Sequence, residues 1–432
     1  MRIIHTADLH LGQVIYQNYD RSDEHRHFFR QLEEWCVSEQ PDALLVSGDV
    51  FDIQQPSATV KKAFTESFVG LHRRCPDMAI VIVAGNHDSA SRIQADSAVW
   101  RWAGTRLVGL PPAIERLEGP DGWQDEYIVR LEKGWVVAFP YMTGDRRRQL
   151  QAVLDRVAAL NTEGKPVVMM GHQAVAGMDP KGHGFEVGSI KTQEVDALGA
   201  GYDYLALGHI HKPQTIGHQE DGQLMEVTYP AGVIRYAGSA LHVSCDEQYP
   251  HTVSVVDIPE HGGDVHIRQL RIDEWRHFYT LPLGGSSFTS EEEALQAVKD
   301  FSASHARGYF SLRVDYRTSL SSTFNQRIYD LLAPYGDEVR YNPKIVWTGR
   351  TSSTEEETPR PIFEVAELQQ MTDPMEFIGK TLGQYPELDG EELKSAFQEV
   401  KAEVRRMEEE EQQAARMKAA KRKTPVQEEQ PS

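Results

Sequence analysis

The chain has 432 residues, 40% hydrophobic and 25% charged, which suits two or three domains of roughly 100–200 residues each and excludes a wholly disordered polymer. No apolar run approaches the roughly 18–20 residues that span a bilayer, the opening residues do not read as a signal peptide, and Cys36, Cys75 and Cys245 are too scattered for a disulfide framework or zinc knuckle, so a reducing cytoplasm is expected. A net charge of −20 argues against a broadly basic nucleic-acid surface, yet a divalent ion can supply positive charge locally.

Apolar runs alternate with helical patterns over the first 272 residues. Ile3-Ile4 is a buried strand candidate, and Phe28, Phe29, Leu32, Trp35 and Cys36 recur at helical spacing. Ala43 to Val46 is a second strand, Val60, Phe64, Phe68 and Leu71 mark a helix, and Ala79 to Ala84 is a third strand. Further strands are read at Trp135 to Pro140, Pro166 to Met170 and Tyr204 to Leu207, with a hairpin from Glu126–Leu131 into Trp135–Phe139. This pattern predicts an α/β fold: a layered, mixed β-sheet with helices on both faces. Residues 273–348 form a predicted α+β capping domain. Its strands are Phe278 to Leu283, Phe310 to Tyr316 and Val339 to Trp347. Its helices open at the Ser290/Glu293 capping box and at Phe324. A polar linker covers 349–372. A helix pair follows over 373–410, starting at Asp373-Pro374 and carrying an apolar stripe of Leu393, Phe397, Val400, Val404 and Met407. The charged tail, 411–432, is expected to be disordered.

Chemistry concentrates in five polar clusters, each just after a predicted strand: Asp8-Leu9-His10, Gly48 to Asp52, Gly85 to Asp88, Gly171-His172-Gln173 and Gly208 to His211. Carboxyl ends of strands line the crevice where α/β sheets bind ligands. Asp8, His10, Asp49, Asn86, His172, His209 and His211 supply seven oxygen and nitrogen donors and no thiolate. That set suits manganese or iron better than a soft metal, and holds too many histidines for magnesium alone. Seven donors fit two divalent ions if one carboxylate bridges them. Such a pair can clamp the attacking and leaving oxygens of a phosphoryl group. Glycines 48, 85, 171 and 208 let the backbone turn sharply after each strand. His87 is left as a non-ligand able to protonate a leaving oxygen, and Asp52 is placed to orient it. His5 reads as a core histidine, His25 and His27 as a solvated helix face, and His183 as a loop residue.

Together the five motifs resemble the calcineurin-like metallophosphoesterase superfamily. Phe51-Asp52-Ile53 and Asp88 depart from its serine/threonine phosphatases. His5 to Gly12, Ser47 to Asp52 and Ala84 to Ser89 instead resemble the SbcD-type nuclease subunits, kin of the double-strand-break repair nuclease. The resemblance implies one metal on Asp8, His10, Asp49 and His211, and a second on Asp49, Asn86, His172 and His209. It makes His87 catalytic and manganese the expected ion, with magnesium second. It also implies DNA as substrate, cut exonucleolytically at double-stranded ends and endonucleolytically in single strands and hairpins. The expected assembly is a homodimer of nuclease subunits with two SbcC-type coiled-coil ATPases, docked through the helix pair, with no membrane association. Two positions depart from the family: Ala240 replaces a proline and Cys245 a phenylalanine.

Two other readings compete. A phosphoesterase for small phosphodiesters or nucleotides explains the site but not the added domains. A non-catalytic scaffold would have lost ligands, and here all are present. If the chain binds DNA, Arg92, Arg101 and Arg106 are candidate phosphate contacts, against a default of surface salt bridges.

Overall fold

Neighbouring residues of the first strand enter different cores. Ile3 packs with Ala43, Leu45, Val81 and Val83, whereas Ile4 packs with Leu44, Val46, Ile80 and Ile82. The period-two alternation of a strand thus divides an unbroken apolar run between two faces. In this computed structural model, residues 1–349 are described except 17–18, 114–121, 181–191, 219–223, 225, 244–246, 248 and 306. The predicted linker from 350 onward, the helix pair, the charged tail, His183 and Cys245 lie outside the described residues.

A seven-stranded sheet has the order Glu226–Tyr229, Val265–Arg271, Thr252–Asp257, Arg2–Thr6, Ala43–Ser47, Ala79–Val83, Thr105–Val108. Its last four strands run parallel, and the first three join antiparallel. A six-stranded sheet has the order Gln214–Thr215, Val233–Tyr236, Tyr204–Gly208, Val167–His172, Trp135–Ala138, Ile128–Arg130, parallel except at its two edges. One core merges Leu45 and Val81 from the first sheet with Val137, Met169 and Leu205 from the second. The other face of the seven-stranded sheet is covered by helices Ser22–Glu39 and Ala58–Arg74, through Phe28, Leu32, Phe64 and Phe68. The predicted α/β class holds, but as two mixed sheets facing each other where one was expected.

A four-stranded sheet, Phe278–Leu281, Gly308–Asp315, Val339–Tyr341 and Val346–Thr348, is wholly parallel and packs on helices Glu291–Ser304 and Phe324–Leu332. The single strand predicted over Val339 to Trp347 is two strands. Pro343, which has no N–H to give a ladder, lies in the break, and both pieces pair with Gly308–Asp315. The capping box is also displaced. Ser290 Oγ accepts from Glu293 N at 3.2 Å, but the Glu293 carboxylate accepts from Thr289 N rather than Ser290 N. Among the described residues no helix is long and apolar enough to cross a membrane.

Candidate metal centre

All seven predicted donors sit at or just beyond carboxyl ends of parallel strands, from both large sheets. The backbone there is strained. Six non-glycine residues among those described have positive φ, and four are predicted ligands: Asp8 (51°), His10 (45°), Asp49 (47°) and His209 (92°). Such conformations cost roughly 1–3 kcal/mol each and persist only where the surroundings impose them. Here the two loops brace each other, with Asp8 N donating to Gly48 O at 3.0 Å and His10 N to Asp49 O at 3.0 Å.

The glycines divide by role. Gly48 has φ +86°. Gly85 and Gly208 are needed for close approach instead: a Cβ on Gly85 would lie 2.0 Å from Asp49 Oδ1, and one on Gly208 1.9 Å from the Ser47 carbonyl. Gly171 is required by neither reason, contrary to expectation, since its Cβ would meet only Leu207 Cδ2 at 3.2 Å.

The donors form two groups with Asp49 between them. Asp8, His10 and His211 offer ligand atoms within 4.8 Å of one another, as do Asp49, His172 and His209. Asn86 Oδ1 joins the second group, 3.0 Å from His172 Nε2 and 2.9 Å from His209 Nδ1. Asp49 Oδ2 lies 3.3 Å from His172 Nε2 and 3.9 Å from His10 Nε2. Asp8 and Asp49 are almost completely buried, and two buried carboxylates this close to histidine lone pairs call for cations. His10 Nε2 is itself buried with no hydrogen-bond partner. The outer nitrogens are fixed as in metal-ligating histidines: His172 Nδ1 donates to the Ser47 carbonyl at 2.8 Å and His211 Nδ1 to Glu247 Oε1 at 2.9 Å. The residues therefore fit two divalent ions.

The electrostatics follow from that crowding. Burial opposes a charged His172, yet Asp49, by charge and hydrogen bond, lifts it to about 9. Burial and then the charge of His172 push His209 down to about 3. Burial resists ionisation of Asp49, but His172 and His10 together hold its carboxyl well below the usual range.

His87 is exposed, with its ring 4.9 Å from that of His10. Asp52 orients it differently from expectation. The Asp52 backbone carbonyl, not the carboxylate, receives His87 Nδ1 at 2.8 Å. The Asp52 carboxylate turns instead towards His10 Nδ1, at 3.3 Å. His5 is a core histidine as predicted, bonded through Nδ1 to Tyr204 Oη at 2.9 Å. His25 is not solvated: it is buried, and its Nε2 donates to the Leu9 carbonyl at 2.8 Å, between Asp8 and His10. Arg106 is engaged by the carbonyls of Asp125 and Glu126, whereas Arg92 and Arg101 are exposed.

Three supporting residues lie in or beside the sequence motifs, although the pattern assigns them no role. Asp88 is buried and accepts from Gly85 N, Val50 N and Phe51 N, locking the second cluster to the third. Burial and then the charge of Asp49 raise its carboxyl to about 6. Its place at the end of the third cluster was the available signal. Ser47 and Glu247 fix His172 and His211; Ser47 opens the second motif and Glu247 ends the segment that departs from the family at Cys245, but neither position discloses its contact. Ala240 N lies 3.4 Å from the Asp8 carbonyl, a contact that a proline nitrogen could not donate.

The family model for calcineurin-like phosphoesterase matches residues 1–213. The SbcD subunit of the nuclease SbcCD from Rhodobacter capsulatus is 31% identical over 298 residues, covering 62% of this chain and 69% of that protein. Its counterpart in Escherichia coli K12 is 30% identical, over 59% of this chain and 65% of the other. DNA double-strand break repair protein Mre11 of Methanocaldococcus jannaschii is 25% identical, over 55% and 56%. The alignments thus span about two thirds of the length of the SbcD proteins. With the strand-end donors in place and matches of this extent, the chain belongs to the SbcD family of calcineurin-like phosphoesterases.

Proposed function

We propose that this chain hydrolyses DNA phosphodiester bonds at a two-metal centre, as the nuclease subunit of an SbcCD-type repair assembly. The observation that carries this reading is Asp49, one carboxylate set between two clusters of donors drawn from five strand ends. Asp8, His10, Asp49 and His211 hold one ion, and Asp49, Asn86, His172 and His209 the other. Bound there, two divalent ions supply Lewis acidity at the phosphate and a nucleophilic water at neutral pH. We assign manganese as the working ion. Nδ1 of His87 is tethered to the Asp52 carbonyl, which leaves Nε2 to pass a proton to the leaving oxygen. The peptide N–H of His87 donates to Asp49 Oδ1 at 2.8 Å, tying this acid to the bridging carboxylate. We assign residues 1–272 to the nuclease core, 273–348 to a capping domain and 349–372 to a linker. The apolar stripe Leu393 to Met407 is the docking element for an SbcC-type ATPase, in a cytoplasmic complex with two nuclease subunits.

The test is cleavage of an end-labelled duplex and a hairpin in manganese, with and without an SbcC-type partner and ATP. Asp49→Ala should lose both metal and cutting. His87→Asn should keep metal and lose about 10²–10⁴-fold in turnover, the usual range for general acid–base catalysis. Near wild-type cutting by His87→Asn would remove His87 from the mechanism. Hydrolysis of small phosphodiesters with no DNA cleavage under any condition would replace the nuclease reading.

A further inference from the structure

A second group of ligand-type side chains lies behind His211, outside the seven donors. Glu247 is 1% exposed. Its Oε1 serves His211, and its Oε2 accepts from Ser239 Oγ and Val243 N, both at 3.1 Å. The same Oε2 lies 3.5 Å from His251 Nε2. His251 is 1% exposed, and its Nδ1 is 2.9 Å from the Ser239 carbonyl, which can only accept. Nδ1 therefore carries a proton, and Nε2, buried with no hydrogen-bond partner, turns its lone pair towards a carboxylate. His242 repeats the pattern. Its Nε2 is 3.1 Å from Glu274 Oε1, and its Nδ1 is also buried without a partner. The two rings stand 4.1 Å apart. One ligand atom from each of His242, Glu247 and His251 falls within 4.8 Å of the others.

We propose that His242, Glu247 and His251 bind a third divalent ion of the zinc–cobalt class. Two imidazoles and a carboxylate are a borderline donor set, which with one water completes four-coordination. Each histidine donates its outer N–H to an acceptor, the arrangement that fixes the tautomer of a metal ligand. Glu247 and Glu274 balance the ion's charge. A cavity of about 770 Å³, lined in part by His242, Glu247, Tyr249, Glu274 and Phe278, gives it a path inward. By holding Glu247, this ion steadies the partner of His211 and so links itself to the metal centre.

Equilibrium dialysis of the full chain against zinc tests the site, with total metal per chain as readout. Wild type should hold one more equivalent than His242→Gln or His251→Gln, each checked for folding by circular dichroism. Cobalt(II) titration of Asp49→Ala, which impairs the main centre, should give the intense visible bands of a low-coordinate site. Adding His251→Gln to that chain should abolish them. The proposal fails if the folded single variants keep wild-type stoichiometry, or if Asp49→Ala shows no such bands. It also fails if nitrogen NMR finds His251 doubly protonated in excess zinc, because a proton then occupies the ion's place.

Discussion

At Gly85 the site has no room for one more carbon. A Cβ there would press on both Asp49 Oδ1, at 2.0 Å, and Asp49 N, at 2.2 Å. Gly85→Ala should therefore move the Asp49 carboxylate and lower manganese affinity at least about tenfold, equivalent to roughly 1.4 kcal/mol. Gly171→Ala is the matched control, since only the movable Leu207 side chain is in reach, and calorimetric titration of both variants separates them. The residue types and order of the seven donors were legible because each follows an apolar run, and strand ends converge in this class of fold. What each supporting atom does was not legible. The His87 anchor is a backbone carbonyl of Asp52, and any side chain at 52 would present one. His25 shows the opposite failure. Charged neighbours in the sequence suggested solvent, although 25, 28, 29, 32 and 36 continue one buried stripe. Burial, and then the charge of Arg21, hold His25 down at about 4, below its ordinary 6.5. The unfolded chain thus takes up a proton below pH 6.5 that the folded chain refuses until about pH 4. This histidine contributes stability that drains away as pH falls through that window, by up to about 1.4 kcal/mol per pH unit. Melting curves of wild type and His25→Gln should therefore diverge between pH 6.5 and 4, with wild type losing stability faster; parallel curves would contradict the assignment.

Among the elements, most core strands and helices were readable from apolar runs and periodicity, but their grouping was not. A run such as Ala79-Ile80-Val81-Ile82-Val83 is buried on both sides whichever sheet it joins. Its neighbours are set by closures across the chain, as when Thr252–Asp257 pairs with Arg2–Thr6. The helix layer offers a direct check on packing. Phe68 is fully buried, with ring centroids 4.8 Å from Phe64 and 5.5 Å from Phe29. Phe68→Ala should cost about 3–5 kcal/mol, from lost transfer energy and the cavity left behind. Denaturant unfolding should show a lower midpoint with an unchanged slope. The helices cover the face of the sheet opposite the six-stranded one, so metal stoichiometry of the folded variant should stay at the wild-type value.

Across the whole described fold, the four-stranded sheet is tied to the start of the first helix by buried charge rather than by apolar surface alone. Glu24 is 2% exposed and faces three guanidinium groups. Arg21 donates to its Oε2 at 2.6 and 2.9 Å, and Arg340 and Arg276 lie 3.3 and 3.5 Å from its Oε1. Tyr309 also donates to Glu24, and Arg340 donates to Tyr309 at 2.7 Å. Arg340 and Tyr309 belong to Val339–Tyr341 and Gly308–Asp315, so this one carboxylate joins residues some 300 apart in sequence. No local pattern announces it: in the sequence, Glu24 is one acidic residue in a helix's first turn. These cations are taken out of water: Arg276 also pairs with Asp23 at 2.6 Å, whereas Arg21 and Arg340 pair with Glu24. Glu24→Gln keeps the shape and removes the charge, leaving Arg21 and Arg340 short of a counter-ion. Breaking a buried pair from one side typically costs about 3–5 kcal/mol, and that loss is expected in urea unfolding. Glu66→Gln, which breaks the exposed Lys62–Glu66 pair at 3.7 Å, should cost less than about 1 kcal/mol. Equal effects of the two substitutions would mean that water reaches the Glu24 cluster and that the four-stranded sheet is held by apolar packing alone.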